Sequence, residues 1–271
     1  MLMYVNWDVN PELVNLFGII SIRYYSLLFV TGLLLGYWVV KRVYQREKIP
    51  IEKLDSLAMF IFAGTIIGAR LGHCLFYNPV YYLSNPIEML LPIQFVNGSI
   101  KFTGYQGLAS HGGAIGVLLA IIFYSKKNKV AIWSILDKIA LAVPLTGAFI
   151  RFGNLMNSEI IGNQTNVSWA FIFKHVDDLP RHPTQLYEAI SYVIIFILTH
   201  ILYKQRQNKV DGFVFGFMLF LLFVSRFMIE FLKINQESFE NGLILNMGQI
   251  LSIPFILWGL LIMYKKRVNI E

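Results

Sequence analysis

The sequence predicts an all-α integral membrane protein with seven transmembrane helices and a small external head segment. Of the 271 residues, 56% are hydrophobic and only 14% are charged. The apolar residues are gathered into long stretches that alternate with short basic loops. One helical crossing of a bilayer takes about 20 mainly apolar residues, so this composition favours a membrane protein over a soluble domain. We expect a single membrane domain over residues 1–271.

Seven apolar stretches have approximately the length that a membrane crossing requires. They cover about 17–40, 55–78, 106–125, 131–152, 184–203, 212–232 and 247–264. Two long segments between them, 79–105 and 153–183, are polar and aromatic. We predict that about 153–183 forms the head segment, with a contribution from 79–105. The acidic and aromatic start of the chain predicts that no signal peptide is removed.

The distribution of basic residues predicts the orientation in the membrane. Four clusters, at 41–53, 126–129, 204–209 and 265–267, hold 14 of the 23 lysines and arginines. Two apolar stretches separate each cluster from the next, so all four lie on one side, and the positive-inside rule makes that side cytoplasmic. The N-terminus is then outside and the C-terminus is cytoplasmic. This clustering in loops also argues against nucleic acid as the reason for the net charge of +7.

Four arginines and a histidine inside the apolar stretches are candidates for a site: Arg23, Arg70, His111, Arg151 and Arg226. Each is 15 to 22 residues from the nearest basic cluster, which corresponds to roughly 22–33 Å along a helix. All five therefore reach a similar depth, near the external face. Such groups are unfavourable in a bilayer and are normally functional or paired. A site for an anionic lipid headgroup would have this arrangement.

The segment that begins at Arg151 carries the densest group of polar residues. On a continuous helix, Arg151, Asn154, Asn157 and Glu159 would spread over about 200° of arc. That arc is too wide to face a bundle interior, so we predict that the helix ends near Gly153 and that the backbone turns at the outer interface. The alternative is an ordinary helix end with satisfied polar groups, which leaves the arginine and both asparagines unexplained.

Arg226 and His111 are further candidates for the site. Arg226, Glu230 and Lys233 share one helix face, and an arginine fork suits a bidentate grip on phosphate. A structural pair between Arg226 and Glu230 explains Glu230 equally well. A histidine side chain is able to act as a general base, so His111 is a candidate for that role. A lone histidine among small residues is more often structural, but its shared depth with the arginines favours a function.

Other kinds of site have little support in the sequence. The histidines lack metal-ligand spacing, so we expect no metal and no cofactor. Cys74 lies among apolar residues and is a packing residue, and a single cysteine excludes an intramolecular disulfide. An anionic-lipid binding or transport protein remains an alternative, because it would also need outward-facing arginines. The odd number of stretches and the lack of a repeat are unusual for transporters.

Seven motifs, in this order, resemble the bacterial prolipoprotein diacylglyceryl transferases over essentially the full length of the chain. The motifs are Ile22-Arg-Tyr-Tyr25, Gly68-Ala-Arg-Leu-Gly72, His111-Gly-Gly113, Arg151-x2-Asn154-x2-Asn157-x-Glu159-x2-Gly162, Arg181-His-Pro-x-Gln185-Leu-Tyr-Glu188, Arg226-x3-Glu230 and Met247-Gly-Gln249. Two positions depart from the family pattern. Leu222 stands where a tyrosine is usual, and Lys233 stands where an arginine is expected.

The resemblance implies seven transmembrane helices in the bacterial inner membrane and an external head. It also implies transfer of diacylglycerol from phosphatidylglycerol to the lipobox cysteine thiol in the signal peptide of a prolipoprotein, without a cofactor. By motif, Arg151 and Arg226 correspond to essential arginines and His111 to an important histidine. The positions expected to bind phosphatidylglycerol, besides the two arginines, are Tyr25, Asn154, Glu159, Gly162 and Glu230. The arginines would stabilise the leaving phosphate, and His111 would take the thiol proton.

Overall fold

The computed structural model describes residues 4–16, 20–91, 93–96, 99–102, 107–206, 210–235, 240 and 242–267, and this part of the chain is mostly helical. Within these ranges, ten α-helices run in chain order as α1 Tyr24–Arg46, α2 Ile51–Tyr77, α3 Pro79–Ser84, α4 Pro86–Leu90, α5 Ser110–Asn128, α6 Ile132–Ala140, α7 Val143–Met156, α8 Thr184–Gln205, α9 Phe213–Glu230 and α10 Met247–Arg267. Both termini, Lys209, and the starts of the first and third predicted stretches lie outside the described residues.

Five of the described helices are long and apolar enough to cross a membrane: α1, α2, α8, α9 and α10. Helices α6 and α7 meet the same criterion as a pair, with a 42° bend between them, and would make a sixth span. The polar ends of α5, Ser110-His111 and 126–128, lower its mean hydropathy. The coarser prediction of a multi-spanning helical membrane protein is confirmed, while the count of seven spans stays a prediction.

The bend between α6 and α7 was not predicted, because the length and overall composition of 131–152 suit a single span, although Asp137, Lys138 and Pro144 lie within it. Pro144 lies in the first turn of α7, where its missing N–H is tolerated, whereas the same residue inside a continuous helix would break a hydrogen bond. Helix α7 then continues to Met156, three residues beyond the predicted end near Gly153. Arg151 and Asn154 therefore lie on the last turns of a helix and not on irregular backbone.

Short strands accompany the helices, which the all-α prediction did not include. Within the described residues, β1 (Val5–Trp7), β6 (Phe171–Phe173) and β7 (Pro180–Arg181) form a sheet in the order β1-β6-β7, with β1 parallel to β6. Two antiparallel pairs join β2 (Glu12–Leu16) to β3 (Ile20–Arg23) and β4 (Ile93–Val96) to β5 (Ser99–Phe102). Strands β6 and β7 belong to the predicted head segment 153–183, and β4 and β5 to 79–105.

Contacts divide the chain into two compact units, the first made of Met1–Val43 with Leu136–Glu271 and the second of Tyr44–Ile135. In the first unit, α7 packs on α8, α8 on α9 and α9 on α10. Its core includes Ala148, Tyr192 and Met218. The buried carboxylate of Asp137 on α6 accepts hydrogen bonds from the amides of Gly212 and Phe215, at 2.6 and 2.7 Å, and so caps the N-terminus of α9.

The second unit is built on the close packing of α2 against α5. A row of glycines lies at the contact: a Cβ on Gly112 would overlap the carbonyl oxygen of Gly68, and a Cβ on Gly116 would overlap that of Gly64. Glycine lets two helix backbones approach more closely than any other residue does. Beside this contact, apolar side chains of both helices line a groove of about 670 Å³.

We expect Gly112→Ala to destabilise the protein by about 1–3 kcal/mol, the usual effect of overpacking. The new methyl group would meet backbone atoms of α2, which cannot rotate away. The neighbouring Gly113→Ala is a matched control, because its Cβ would have no neighbour closer than 3.6 Å. Thermal unfolding in detergent measures both variants. Equal midpoints for the two alanine variants would contradict this description of the helix contact.

Candidate active site

Arg151, on the second-last turn of α7, faces the first turns of α8. Its Nε lies 2.9 Å from Oε2 of Glu188, and the two side chains are 13% and 0% exposed. The geometry is that of an ion pair without an aligned hydrogen bond, since Oε2 of Glu188 lacks a hydrogen-bond partner among the described residues. A carboxylate with no access to solvent is stable in its charged form only when cations lie beside it. Arg151 supplies one of them.

Lys233 supplies the second cation. Its Nζ donates to Oε1 of Glu188 and to Oε2 of Glu230, each at 3.0 Å. Lys233 is only 4% exposed, and it follows the end of α9, whose last residue is Glu230. Charges therefore alternate through four side chains, Arg151, Glu188, Lys233 and Glu230, which we call the buried charge network. Its formal charges sum to zero.

A second branch leads from Arg151 to the turn after α7. Nη1 of Arg151 donates to Oδ1 of Asn154 at 3.1 Å, and Nδ2 of Asn154 donates to Oε1 of Glu159 at 2.7 Å. Asn157 donates to the same Oε1 at 3.3 Å. The four polar residues of this motif are thus connected, as a shared site requires. The side-chain oxygen of Asn154 accepts from the guanidinium of Arg151, and its NH₂ group donates to the carboxylate of Glu159. Asn154 therefore orients both side chains.

The turn that carries Glu159 is held against the start of α8. Gln185 donates to the carbonyl oxygen of Glu159 at 2.7 Å, and Thr184 donates to that of Ile160 at 2.8 Å. Thr184 and Gln185 are fully buried. Ser158 and Ile160 have positive φ, 52° and 59°, which reverses the chain direction at the end of α7. The polar side chains in the first turn of α8 therefore hold the backbone of this turn in place.

Gly162 is required by close packing. Its amide donates to the carbonyl oxygen of His182 at 3.0 Å, and the next amide, of Asn163, donates to that of Leu232 at 2.7 Å. A Cβ on Gly162 would lie 2.6 Å from the Cβ of His182 and 2.8 Å from the oxygen of Leu232. The segment at Gly162 also forms a β-bridge with Lys233. Gly162 therefore lets backbone approach the network, and its predicted contact with lipid stays a prediction.

Tyr25 lies against α7, close to the arginine. It belongs to the first turn of α1, and a Cβ on Gly153 would lie 2.8 Å from Cδ2 of the Tyr25 ring. Gly153 is two residues from Arg151 along α7. The aromatic ring thus borders the helix end that presents the guanidinium, which is consistent with the predicted place of Tyr25 in the site.

Arg226 differs from Arg151 in having no carboxylate partner in the part of the chain that the structure describes. It is half-buried on α9, and it makes neither a hydrogen bond nor an ion pair with another described residue. The structural pair between Arg226 and Glu230, weighed as an alternative from the sequence, does not form, because Glu230 pairs with Lys233. Tyr192 on α8 lies beside the guanidinium of Arg151, and the charge of Arg226 also acts on its hydroxyl group. Tyr192 therefore places the two arginines in one neighbourhood.

The other polar groups of the predicted common depth have different surroundings. Arg70 is buried in the second unit, where it donates to the carbonyl oxygens of Glu88 and Met89 at 2.6 and 3.2 Å, so it fastens α4 to α2. Arg23 is exposed at the end of β3, opposite Glu12 of β2. His111 is exposed on the first turn of α5, in the second unit. Arg151 and Arg226 are the pair that share a neighbour in the first unit.

Two ionisable groups beside the head strands have shifted pKa values. Hydrogen bonds from Arg181 hold the pKa of Asp177 below its usual value. Burial lowers the pKa of His182, whose Nδ1 lies 3.1 Å from the hydroxyl of Tyr187. Trp169 donates to the same hydroxyl at 2.8 Å. Asp177 is therefore charged and His182 mainly neutral at pH 7.

Comparison with known proteins identifies the family. The sequence model described as prolipoprotein diacylglyceryl transferase matches residues 11–265. The chain belongs to this family. It is 53% identical over 275 residues to the phosphatidylglycerol–prolipoprotein diacylglyceryl transferase of Bacteroides fragilis strain ATCC 25285, covering 100% of this chain and 99% of that protein. The proteins of the same name from Tolumonas auensis and Chloroherpeton thalassium are 47% and 42% identical, over 260 and 272 residues. These alignments cover 95% of this chain and 95% of the first protein, and 99% of this chain and 97% of the second.

The sequence analysis did not assign three residues to the site of this family member that the structure places there: Glu188, Tyr192 and Lys233. The signal for Glu188 was present, because a carboxylate inside an apolar stretch is normally functional or paired. Tyr192 lies four residues after Glu188, on the same face of α8. Lys233 was placed on the helix face of Arg226 and Glu230 and noted as a departure from the family pattern, but it was not predicted to belong to the site. Within the described residues, no group of three or more His, Cys, Asp or Glu is arranged to hold a metal.

Proposed function

We propose that this protein transfers the diacylglyceryl group of phosphatidylglycerol to the lipobox cysteine of prolipoproteins, forming a thioether and releasing glycerol phosphate. The names of its relatives describe this substrate pair. The observation that supports it best in the structure is the pair of arginines near Tyr192, of which Arg226 has no carboxylate partner among the described residues. Because no described carboxylate neutralises it, the guanidinium of Arg226 is available to bind an anionic headgroup.

The proposed reaction forms one bond and breaks one. The cysteine of the prolipoprotein loses its thiol proton, because the thiolate is the nucleophile. The thiolate attacks the glycerol carbon that carries the phosphate ester. A C–S bond forms as the C–O bond to phosphate breaks, and glycerol phosphate leaves with the electron pair. The proton passes to a general base, for which we propose His111 of the His-Gly-Gly motif, because an imidazole nitrogen is able to accept a proton from a thiol.

The arginines have separate roles in this proposal. Arg226 binds the phosphate of phosphatidylglycerol directly, since a guanidinium fork matches two phosphate oxygens. Arg151 is held by Glu188 and Asn154, so it presents its remaining N–H groups in a fixed direction toward the negative charge that grows on the leaving group. Tyr25, Asn154, Glu159, Gly162 and Glu230 complete the proposed lipid site. Glu159 orients Arg151 through Asn154, and Glu230 orients Lys233.

A transfer assay tests the proposal directly. Purified protein in detergent receives phosphatidylglycerol and a synthetic lipobox peptide, and mass spectrometry measures the thioether product. A peptide with serine in place of the cysteine, and phosphatidylethanolamine in place of phosphatidylglycerol, are the controls. Thioether only with the cysteine peptide and phosphatidylglycerol is the expected result. Binding of phosphatidylglycerol without product would favour the alternative of an anionic-lipid binding or transport protein.

We propose seven spans in the bacterial inner membrane, with α5 as the remaining one, and a head segment on the external side. A reporter fused after Glu271 is expected to lie in the cytoplasm and one fused before Met1 outside, because the basic clusters hold 14 basic residues and the opposite loops four. A reporter inserted at 126–129 serves as a cytoplasmic control. Both ends on the same side would contradict an odd number of spans.

A further inference from the structure

Arg226 and Glu230 are placed to neutralise each other, yet they do not. Both lie on α9, four residues apart, a spacing at which arginine and glutamate side chains are neighbours on one helix face. Inside a protein, where solvent screening is weak, a carboxylate within reach of a guanidinium normally pairs with it. In the structure Oε2 of Glu230 is bonded to Nζ of Lys233 instead, at 3.0 Å.

Lys233 is able to hold Glu230 because it is itself held. Its ammonium group is anchored on the other side by Glu188, also at 3.0 Å, and its backbone is fixed by the β-bridge to Gly162. With 3% side-chain exposure, the ammonium group has little water to replace either carboxylate. Glu188 therefore holds the ammonium group of Lys233 in the position from which it also binds Glu230.

Gly248 leaves room for the carboxylate in this orientation. Its Cα lies against the side chain of Glu230, and a Cβ there would come within 2.5 Å of Oε1. The carbonyl oxygen of Glu230 accepts a further hydrogen bond from Nδ2 of Asn246 at 3.3 Å. The start of α10 and Lys233 thus both favour one position of Glu230, in which it does not pair with Arg226.

We infer that Lys233 is a positioning residue that sequesters Glu230 and so keeps Arg226 free to bind the phosphate of the lipid substrate. This inference rests on the proposed function, because it assigns a cause to the availability of Arg226 in that reaction. It makes a specific claim about Glu230: without Lys233, this carboxylate would turn to Arg226 and neutralise it. The arginine would remain in the site but would no longer be available.

The test compares Lys233→Met, Lys233→Arg and the double variant Lys233→Met/Glu230→Gln by initial rates of transfer at varied phosphatidylglycerol. We expect Lys233→Met to lower kcat/KM by about 10²-fold, because Arg226 would be neutralised and the loss of one charge-stabilising donor usually has an effect of this size. Lys233→Arg should retain most activity, since arginine is also able to bridge two carboxylates. Glu230→Gln in the Lys233→Met background should restore at least part of the loss, because an amide cannot neutralise Arg226.

If Lys233 were merely structural, its replacement would not change the factor by which Arg226→Ala lowers kcat/KM. If Glu230 captures Arg226 in the Lys233→Met variant, adding Arg226→Ala there should cost less than about 10-fold, far below its cost in the natural protein. Equal costs of Arg226→Ala in the two backgrounds would overturn the inference. Lys174→Met, at an exposed lysine paired with Asp178, is the control and should transfer normally.

Gly248→Ala provides an independent variant if Lys233→Met does not fold. Its methyl group would displace the carboxylate of Glu230 without changing any charge. The expected result is a lower kcat/KM of the folded protein, reversed in part by Glu230→Gln; no reversal would overturn the inference. These outcomes are separate from a failure of the proposed function, in which the natural protein itself would make no thioether.

Discussion

Replacing Arg226 by alanine is expected to abolish diacylglyceryl transfer while the protein still inserts and folds. Arg226 is half-buried and makes no ion pair with another described residue, so its removal leaves no carboxylate without a partner. The loss should therefore appear in catalysis, at about 10²–10³-fold or more, as for the removal of a group that stabilises charge in a transition state. Arg226→Lys keeps the charge but loses the planar fork, and should remain strongly impaired.

Transfer to a lipobox peptide, normalised to folded protein, measures this prediction. Arg42→Ala is the control, because that side chain is exposed and packs over Trp38. Arg226 is a cleaner test than Arg151, because Arg151→Ala would abolish transfer but also leave Glu188 with a single cation. Transfer near the natural rate by Arg226→Ala would contradict its role in binding phosphate.

The helices were predictable because each depends on local composition. The apolar stretches at 184–203 and 212–232 became α8 and α9 within two residues at each end. The strands were not predictable for the opposite reason. They have two to five residues each, too short for a clear alternating pattern. Strand β1 also pairs with β6 more than 160 residues away, a non-local contact that no local pattern reveals.

The site was predictable where partners are close in sequence. Arg151, Asn154 and Glu159 lie within nine residues, so the sequence singled them out as one group, and hydrogen bonds connect them. The partners of Glu188 are 37 and 45 residues away, and spacing on one helix cannot predict them. Equal depth in the membrane also did not predict which side chains share a site, since Arg70 donates its hydrogen bonds to carbonyl oxygens of α4. Charge and depth identify which side chains need partners, but only packing decides which partners they have.

The second large effect is expected at a histidine and not at the cysteine of this chain. Cys74 has no exposed surface, and its Sγ lies 3.9 Å from the carbonyl oxygen of Met89. In the proposed reaction the attacking sulfur belongs to the prolipoprotein, so Cys74 has only a packing role. Cys74→Ala removes one buried sulfur and should leave transfer nearly intact, with at most a small loss of stability.

His111→Ala should slow transfer by about 10²–10⁴-fold, the usual contribution of a general base. The loss should shrink as the pH rises toward the thiol pKa of the peptide, because more thiolate then forms without a base. Rates of thioether formation at several pH values measure this, with His175→Ala, at an exposed head histidine beside Asp8, as the control. If Cys74→Ala were inactive and His111→Ala active, the nucleophile would belong to the enzyme. A covalent diacylglyceryl intermediate on Cys74 would then have to be sought.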